Sequence, residues 1–222
     1  PSVFITHQLN VLSGKTSWLT TKLHLRYLLK FNSCWVPDVS GVENLSGKLG
    51  HPEKMMNTIQ YIGPLSRIEK KSLPIKYDIM VLLSGPEPQR TLLEKKLTKE
   101  LENSSKEILF VKGIVESQQQ IEKVNSITYY NFMNSEELST AFNESEFVVC
   151  RSGYTTVMDL AKLEKKAFFI PTPGQYEQEY LAKKFKSEIV APSCKQEKFK
   201  ASKLEKIHFY KGFKDFSVDP NW

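Results

Sequence analysis

The sequence lacks the features that mark membrane-spanning, disulfide-bonded or zinc-binding chains. Its 222 residues include three cysteines, Cys34, Cys150 and Cys194, odd in number and far apart. Neither a disulfide framework nor a zinc site fits that spacing, and a reducing, cytoplasmic compartment is expected. No stretch approaches the roughly 20 apolar residues of a membrane-spanning helix. The apolar run at residues 3–5 is too short for a signal peptide. Of the four histidines, His24, His51 and His208 have no partners at metal-ligand spacing. Gly-x-Gly-x-x-Gly and the P-loop pattern are both missing, which argues against a standard dinucleotide or ATP site. There are no internal repeats and no initiator Met. A chain opening on Pro1-Ser2-Val3-Phe4-Ile5-Thr6 reads as one cut into a longer protein.

What is present suits an α/β protein. Apolar residues make up 40% and charged residues 25%, an ordinary globular balance. The net charge of +6 suits an anionic partner, although much of it sits in lysine-rich stretches such as 94–99 and 183–186, the usual character of a solvated helix face. Short apolar runs at 78–83, 107–111, 127–130, 147–150 and 167–170 read as strands. Helical spacing covers 90–101, 135–143 with Ser135 as N-cap, 155–162 and 177–184. Buried strands separated by amphipathic helices predict a parallel sheet covered on both faces, with its ligand crevice at the strands' carboxyl ends. The loops at that edge are 84–90, 133–134, 151–154 and 171–178.

Residues 1–70 are different: a strand at 2–5, a helix at 16–29, strand-like pieces at 34–36 and 58–62, and a loop at 44–52. Two or three strands are too few for a closed core, so this lobe is expected to be the end of a domain whose start is missing. Residues 70–76 form the linker and 71–191 the main domain. Residues 192–222 form a basic, aromatic tail, with a helix at 201–209 that could pack back on the first lobe. Around Trp18, Leu19, Leu23, Tyr27 and Phe31 alternate with Lys15, Lys22, Arg26 and Lys30. This helix could lie on an anionic membrane, but an apolar stripe facing a domain core is the preferred reading.

The strongest local signal is residues 147–156, where a buried strand feeds Arg151-Ser152-Gly153-Tyr154 and then a helix carrying Asp159. The helix's unpaired N–H groups and macrodipole make an anion site, and Gly153 lets backbone approach a phosphate. Arg151 could add charge. The carboxylate of Asp159 could accept two hydroxyls, as from a ribose. The competing reading is an ordinary strand–turn–helix with a glycine for the bend. Ser84-Gly85 begins a second loop on the same edge, equally readable as a solvent loop. His7 ends the first strand, where a structural role is the commoner one for a lone histidine.

Residues 148–171 resemble the C-terminal domain of the lipid-intermediate N-acetylglucosaminyltransferases of peptidoglycan synthesis (glycosyltransferase family 28). The likeness rests on Cys150-Arg151-Ser152-Gly153, on the acid at Asp159 where the family has Glu, and on Pro171. It extends to the Gln178-Glu179 pair, to the hinge at 63–67 and to Thr6-His7-Gln8-Leu9-Asn10. Ser84-Gly85-Pro86 departs from the family's Gly-rich loop, and Gln178-Glu179 from its Gln pair, so the sugar is open.

The resemblance implies a GT-B fold of two facing Rossmann-like domains. The chain would comprise the C-terminal domain plus the end of a truncated N-terminal one. It implies an inverting, metal-independent hexosyltransferase with no cofactor besides its UDP-sugar substrate. Arg67 and the Gly153 helix end would face the diphosphate, Asp159 the ribose, the backbone at Phe132 and Met133 the uracil, and Gln178 and Glu179 the sugar. Ser84, Gly85, Arg151, Ser152 and Tyr154 complete the donor set. His7, Gln8 and Asn10 would lie on the acceptor side, with the catalytic base expected upstream of residue 1. A lipid-linked or cell-envelope acceptor is implied, with peripheral contact on the inner membrane face. The fragment alone is expected to be inactive. A non-catalytic nucleotide-sugar-binding module is the alternative. Nucleic-acid binding ranks last, since no recognition helix, zinc or aromatic signature supports it.

Overall fold

The computed structural model describes residues 1–53 and 57–216. It contains two parallel-dominated sheets. The smaller is ordered β1-β2-β3 and is built from β1 (Val3–Ile5), β2 (Ser33–Val36) and β3 (Ile59–Tyr61), all parallel. Helix α1 (Ser17–Leu28) crosses between β1 and β2. Leu9, Leu28, Cys34 and Val36 form a small core there, with Phe4 and Leu25 packed against it.

The larger sheet comprises β4 (Tyr77–Leu82), β5 (Ile108–Val111), β6 (Ile121–Val124), β7 (Ile127–Tyr130), β8 (Ser145–Cys150) and β9 (Lys166–Phe169), in the order β6-β7-β5-β4-β8-β9. All neighbours are parallel except the β6–β7 hairpin, an edge pair that sequence reading did not resolve. Every β6 residue is exposed, so the strand carries no apolar run to announce it. Helices α2 (Gln89–Leu101), α3 (Ser135–Asn143) and α4 (Tyr154–Lys162) make the crossovers, and α5 (Tyr176–Ser187) follows the last strand. The cap of α3 is Asn134, not Ser135: its side chain accepts from Glu136 and Glu137 N–H while Glu137 reaches back, a reciprocal box.

Two apolar layers sandwich this sheet. Met80, Leu109, Val148 and Phe169 face α3, α4 and α5 on one side. Val81, Phe110, Val149 and Phe168 face α2 on the other. The 3-10 helix Ala201–Phe209 belongs to the second layer through Leu204 and Ile207. It therefore packs on the large sheet and not on the first lobe. The tail does reach that lobe where Lys214 pairs with Glu43. Residues 217–222 of the tail lie outside the described residues.

The first lobe is not an independent unit. Leu45 and Leu49 are buried in the large sheet's core. Asn143 holds the linker between the lobes by accepting from Lys71 N–H at 2.8 Å and donating to Glu69 O at 2.9 Å.

Candidate functional site

The carboxyl ends of β4, β7, β8 and β9 open onto one edge of the large sheet, where the four expected loops lie. Strand β8 is buried except at Glu146 and delivers the chain to Gly153, the N-cap of α4. No side chain caps α4, and its first turn holds no acidic residue, so its leading N–H groups and dipole face no carboxylate of their own. A side-chain carbon placed on Gly153 would meet nothing within 4 Å. Its φ of −71° suits any residue. What the missing side chain provides here is open space beside the helix end, not backbone freedom. Gly85 differs: at φ +101° the turn after β4 requires glycine.

Arg151 does not add its charge to this opening. It is 1% exposed. Its guanidinium donates to Ile170 O at 2.9 Å, Pro171 O at 3.1 Å, Gln89 O at 2.9 Å and Gln196 Oε1 at 2.7 Å. Burial lowers its pKa to about 10. The side chain ties the end of β9, the start of α2 and the tail to the root of α4. Ser152, also buried, donates to Gln178 O at 2.7 Å. Burial pushes the Cys150 thiol up, so it is an inert core group.

Tyr154, the first residue of α4, points into the first lobe. Its hydroxyl donates to Pro37 O at 2.9 Å, and burial raises its pKa. Its ring stacks on His7 with centroids 4.2 Å apart. The end of β1 is thereby brought against the α4 opening.

Asp159 is one and a half turns further along. Its Oδ1 accepts from Ser66 Oγ at 2.7 Å. Burial raises its pKa, opposed by that hydrogen bond and by the charge of Arg67. The hinge therefore supplies both a hydroxyl and an exposed cation beside the carboxylate, and one oxygen of the expected ribose acceptor is already in use.

The α5 turn also departs from expectation. Gln178 Oε1 accepts from Thr172 N–H at 2.8 Å and Glu179 Oε1 from Gly174 N–H at 3.0 Å, so both side chains hold the loop before their own helix. Among residues 177–179 the side chain bonded to the other lobe is that of Glu177, which sequence reasoning passed over. Gln8 Nε2 donates to its Oε2, and His7 Nε2 lies 3.2 Å from its Oε1 at ion-pair distance without hydrogen-bond alignment. The available signal was the acid at 177 in the first turn of a helix, next to the expected pair. Asn10 is placed differently, donating to Lys48 O at 2.5 Å within its own lobe.

At the loop after β7, Phe132 already has partners for both backbone groups: its N–H donates to Asn131 Oδ1 at 2.9 Å and its C=O accepts from Gln119 Nε2 at 3.0 Å. Met133 is half-buried and lines a 330 Å³ cavity with Tyr77 and Tyr130. Ser84 and Gly85 are exposed.

A second polar cluster went unread in the sequence. Asp38 is fully buried at the end of β2. It accepts from the N–H groups of Val39 at 2.8 Å, Leu45 at 2.9 Å and Ser46 at 2.7 Å, and from the Ser46 hydroxyl. His51 Nε2 lies 3.3 Å from it, and the His51 ring stacks on Tyr61. Burial raises the carboxyl pKa, but His51, Ser46 and the backbone donors outweigh it and leave the group below its ordinary value. Among the described residues no group of three or more His, Cys, Asp or Glu side chains could hold a metal ion.

Comparison with known proteins places this edge in a family. Residues 88–208 match the glycosyltransferase family 28 C-terminal domain. No curated protein sequence matches the chain. Among solved structures, a kitacinnamycin glycosyltransferase superposes with TM-score 0.54 at 13% identity, covering 80% of this chain and 46% of that one. The calicheamicin glycosyltransferase CalG4 gives 0.56 at 8%, covering 87% and 51%. MurG of Acinetobacter baumannii gives 0.53 at 17%, covering 92% and 56%. At these identities the likeness is one of fold, and the chain spans about half the length of each relative.

Proposed function

The chain belongs to the family of glycosyltransferase family 28 C-terminal domains, and from that membership we propose that it is the donor-binding part of an inverting, metal-independent hexosyltransferase. Its donor is a UDP-sugar, with UDP-N-acetylglucosamine the first to test, and its acceptor a lipid-linked or cell-envelope hydroxyl. The observation that carries this reading is the uncapped, carboxylate-free amino end of α4 opening beside Gly153, with Asp159 further along that helix and Arg67 of the hinge beside its carboxylate.

The diphosphate sits at that helix end. Negative charge grows on it as the acceptor oxygen attacks the anomeric carbon and the bond to the β-phosphate breaks. Oriented N–H groups aimed at growing charge lower the barrier without reorganising. Arg67 adds a cation on the hinge side, and the free oxygen of Asp159 takes a ribose hydroxyl. The acceptor hydroxyl loses its proton to a base on the acceptor side. Glu177, with His7 and Gln8 facing it where the lobes meet, joins Gln178 and Glu179 as a group facing the sugar, while those two side chains also hold their own loop.

Titration calorimetry tests the reading. UDP and UDP-N-acetylglucosamine should bind, and a random oligonucleotide should not. Asp159→Ala and Arg67→Ala should each weaken UDP by about tenfold, the loss of one charge-assisted contact. Absence of binding by both UDP and the UDP-sugar overturns the donor-site assignment.

A further inference from the structure

One buried hydroxyl on the crevice edge has no partner. Thr172, just beyond β9, is 4% exposed, and its Oγ1 makes no hydrogen bond among the described residues. An unpaired buried hydroxyl is unfavourable, so a fold that keeps one loses stability for it. The rest of the residue is fixed. Its N–H donates to Gln178 Oε1 at 2.8 Å and its C=O accepts from Gln175 N–H at 3.1 Å. Immediately before it, the carbonyls of Ile170 and Pro171 accept from Arg151. The hydroxyl is thus clamped from both sides and left over by the fold.

Strand register shows what lies beside it. Leu82, Cys150 and Phe169 stand side by side at the ends of β4, β8 and β9. Gly85, Gly153 and Thr172 each come three residues later, in three adjacent loops. A side-chain carbon on Gly85 would have Thr172 Oγ1, at 3.9 Å, as its only neighbour within 4 Å, and one on Gly153 would have none. Two glycines therefore keep space open along this row, and its third position supplies the hydroxyl. The Gly85 turn is exposed throughout residues 84–88, so giving a ligand access to the hydroxyl shifts a surface turn and not the core.

We propose that Thr172 is a specificity residue of the donor site, its hydroxyl donating to the phosphate that carries the sugar. The inference rests on the reading of the α4 end as a diphosphate site. That helix end offers N–H donors to an anion, and an oriented O–H beside them extends the same donor set. Thr172 is tied to Gln178 on the α5 side of the helix end, whereas Asp159 and Arg67 lie on the hinge side. A nucleoside diphosphate with its ribose at Asp159 therefore brings its outer phosphate, and not its inner one, to Thr172. A hydroxyl already held in place and unpaired breaks no bond of its own when that phosphate arrives. Its bond strengthens as charge grows on the departing diphosphate.

Calorimetry on the full chain with UMP, UDP and UDP-N-acetylglucosamine, together with melting curves of the free protein, tests it. Thr172→Val keeps the side chain's shape and removes the hydroxyl. It should weaken UDP and the UDP-sugar alike by about tenfold and change UMP by less than about twofold. Its melting temperature without ligand should equal or exceed that of wild type, because no hydrogen bond within the protein is lost. Thr172→Ser keeps the hydroxyl and should bind UDP within about threefold of wild type. A lower melting temperature for Thr172→Val, or UMP weakened as much as UDP, would mark a structural hydroxyl and overturn the inference. A loss confined to the UDP-sugar would overturn it too, by moving the hydroxyl to the sugar. Wild-type UDP affinity in Thr172→Val would overturn this inference alone and leave the donor site standing. If wild type binds neither UDP nor the UDP-sugar, the donor site and this inference fall together.

Discussion

Arg151 shows how a side chain at the root of a helix opening can brace the surrounding loops without entering the opening. Its sequence neighbours are Ser152 and Gly153, and proximity alone suggests a phosphate contact. In the fold its guanidinium is spent on three backbone carbonyls and Gln196, all at the roots of loops that border the crevice. Removing a buried charged donor strands those acceptors, each of which then loses a hydrogen bond it cannot replace with water. Arg151→Met should therefore lower stability by about 3 kcal/mol or more, read from urea unfolding. A side chain used only by ligand would leave the apo protein unchanged. An unaltered unfolding midpoint with lost UDP binding would reverse the assignment and return Arg151 to the ligand.

At the scale of elements, the sequence announced whatever has a period or a cap. Strands β4, β5, β8 and β9 are apolar because both faces of a parallel sheet are covered, and each was readable to within about two residues. The α4 opening was legible for the same reason, since a buried strand, a glycine and a helix follow in order. Strand β6 was not, because it is an exposed edge with no burial to shape its composition. The first turn of α5 differs from the expected arrangement because three consecutive polar residues look alike in sequence. A helix turns each by about 100°, which sends Gln178 and Glu179 back to their loop and Glu177 across to Gln8. Glu177→Ala should thus weaken UDP-N-acetylglucosamine by about tenfold while leaving UDP alone nearly unaffected, both measured by calorimetry. Gln178→Ala, losing a loop contact, should weaken both ligands together. Equal losses in the two variants would remove Glu177 from the sugar subsite.

The two lobes should unfold as one unit because the small lobe has too little core of its own. Four buried apolar residues line its interior, and it leans on the larger lobe through Leu45 and Leu49, through Tyr154 to Pro37, and through Lys184 to Asn44 at 2.7 Å. The loop that makes these contacts is organised by Asp38, whose carboxylate gathers the backbone of residues 39, 45 and 46. Those bonds favour the ionised form strongly enough to overcome burial, so the folded pKa lies below the ordinary carboxylate value. A lowered folded pKa means the stabilisation is complete above the unfolded value, near pH 4. It is lost as pH falls through and below that point, where the unfolded chain binds the proton more readily. Wild type should therefore exceed Asp38→Asn in melting temperature at neutral pH, and the gap should shrink steadily below about pH 4. Because the lobes share a core, the loss should appear as a falling midpoint of one transition, not as a separate early melt of residues 1–70. A gap that stays constant down to about pH 3 would mean that the loop's geometry, and not the charge of Asp38, holds the two lobes together.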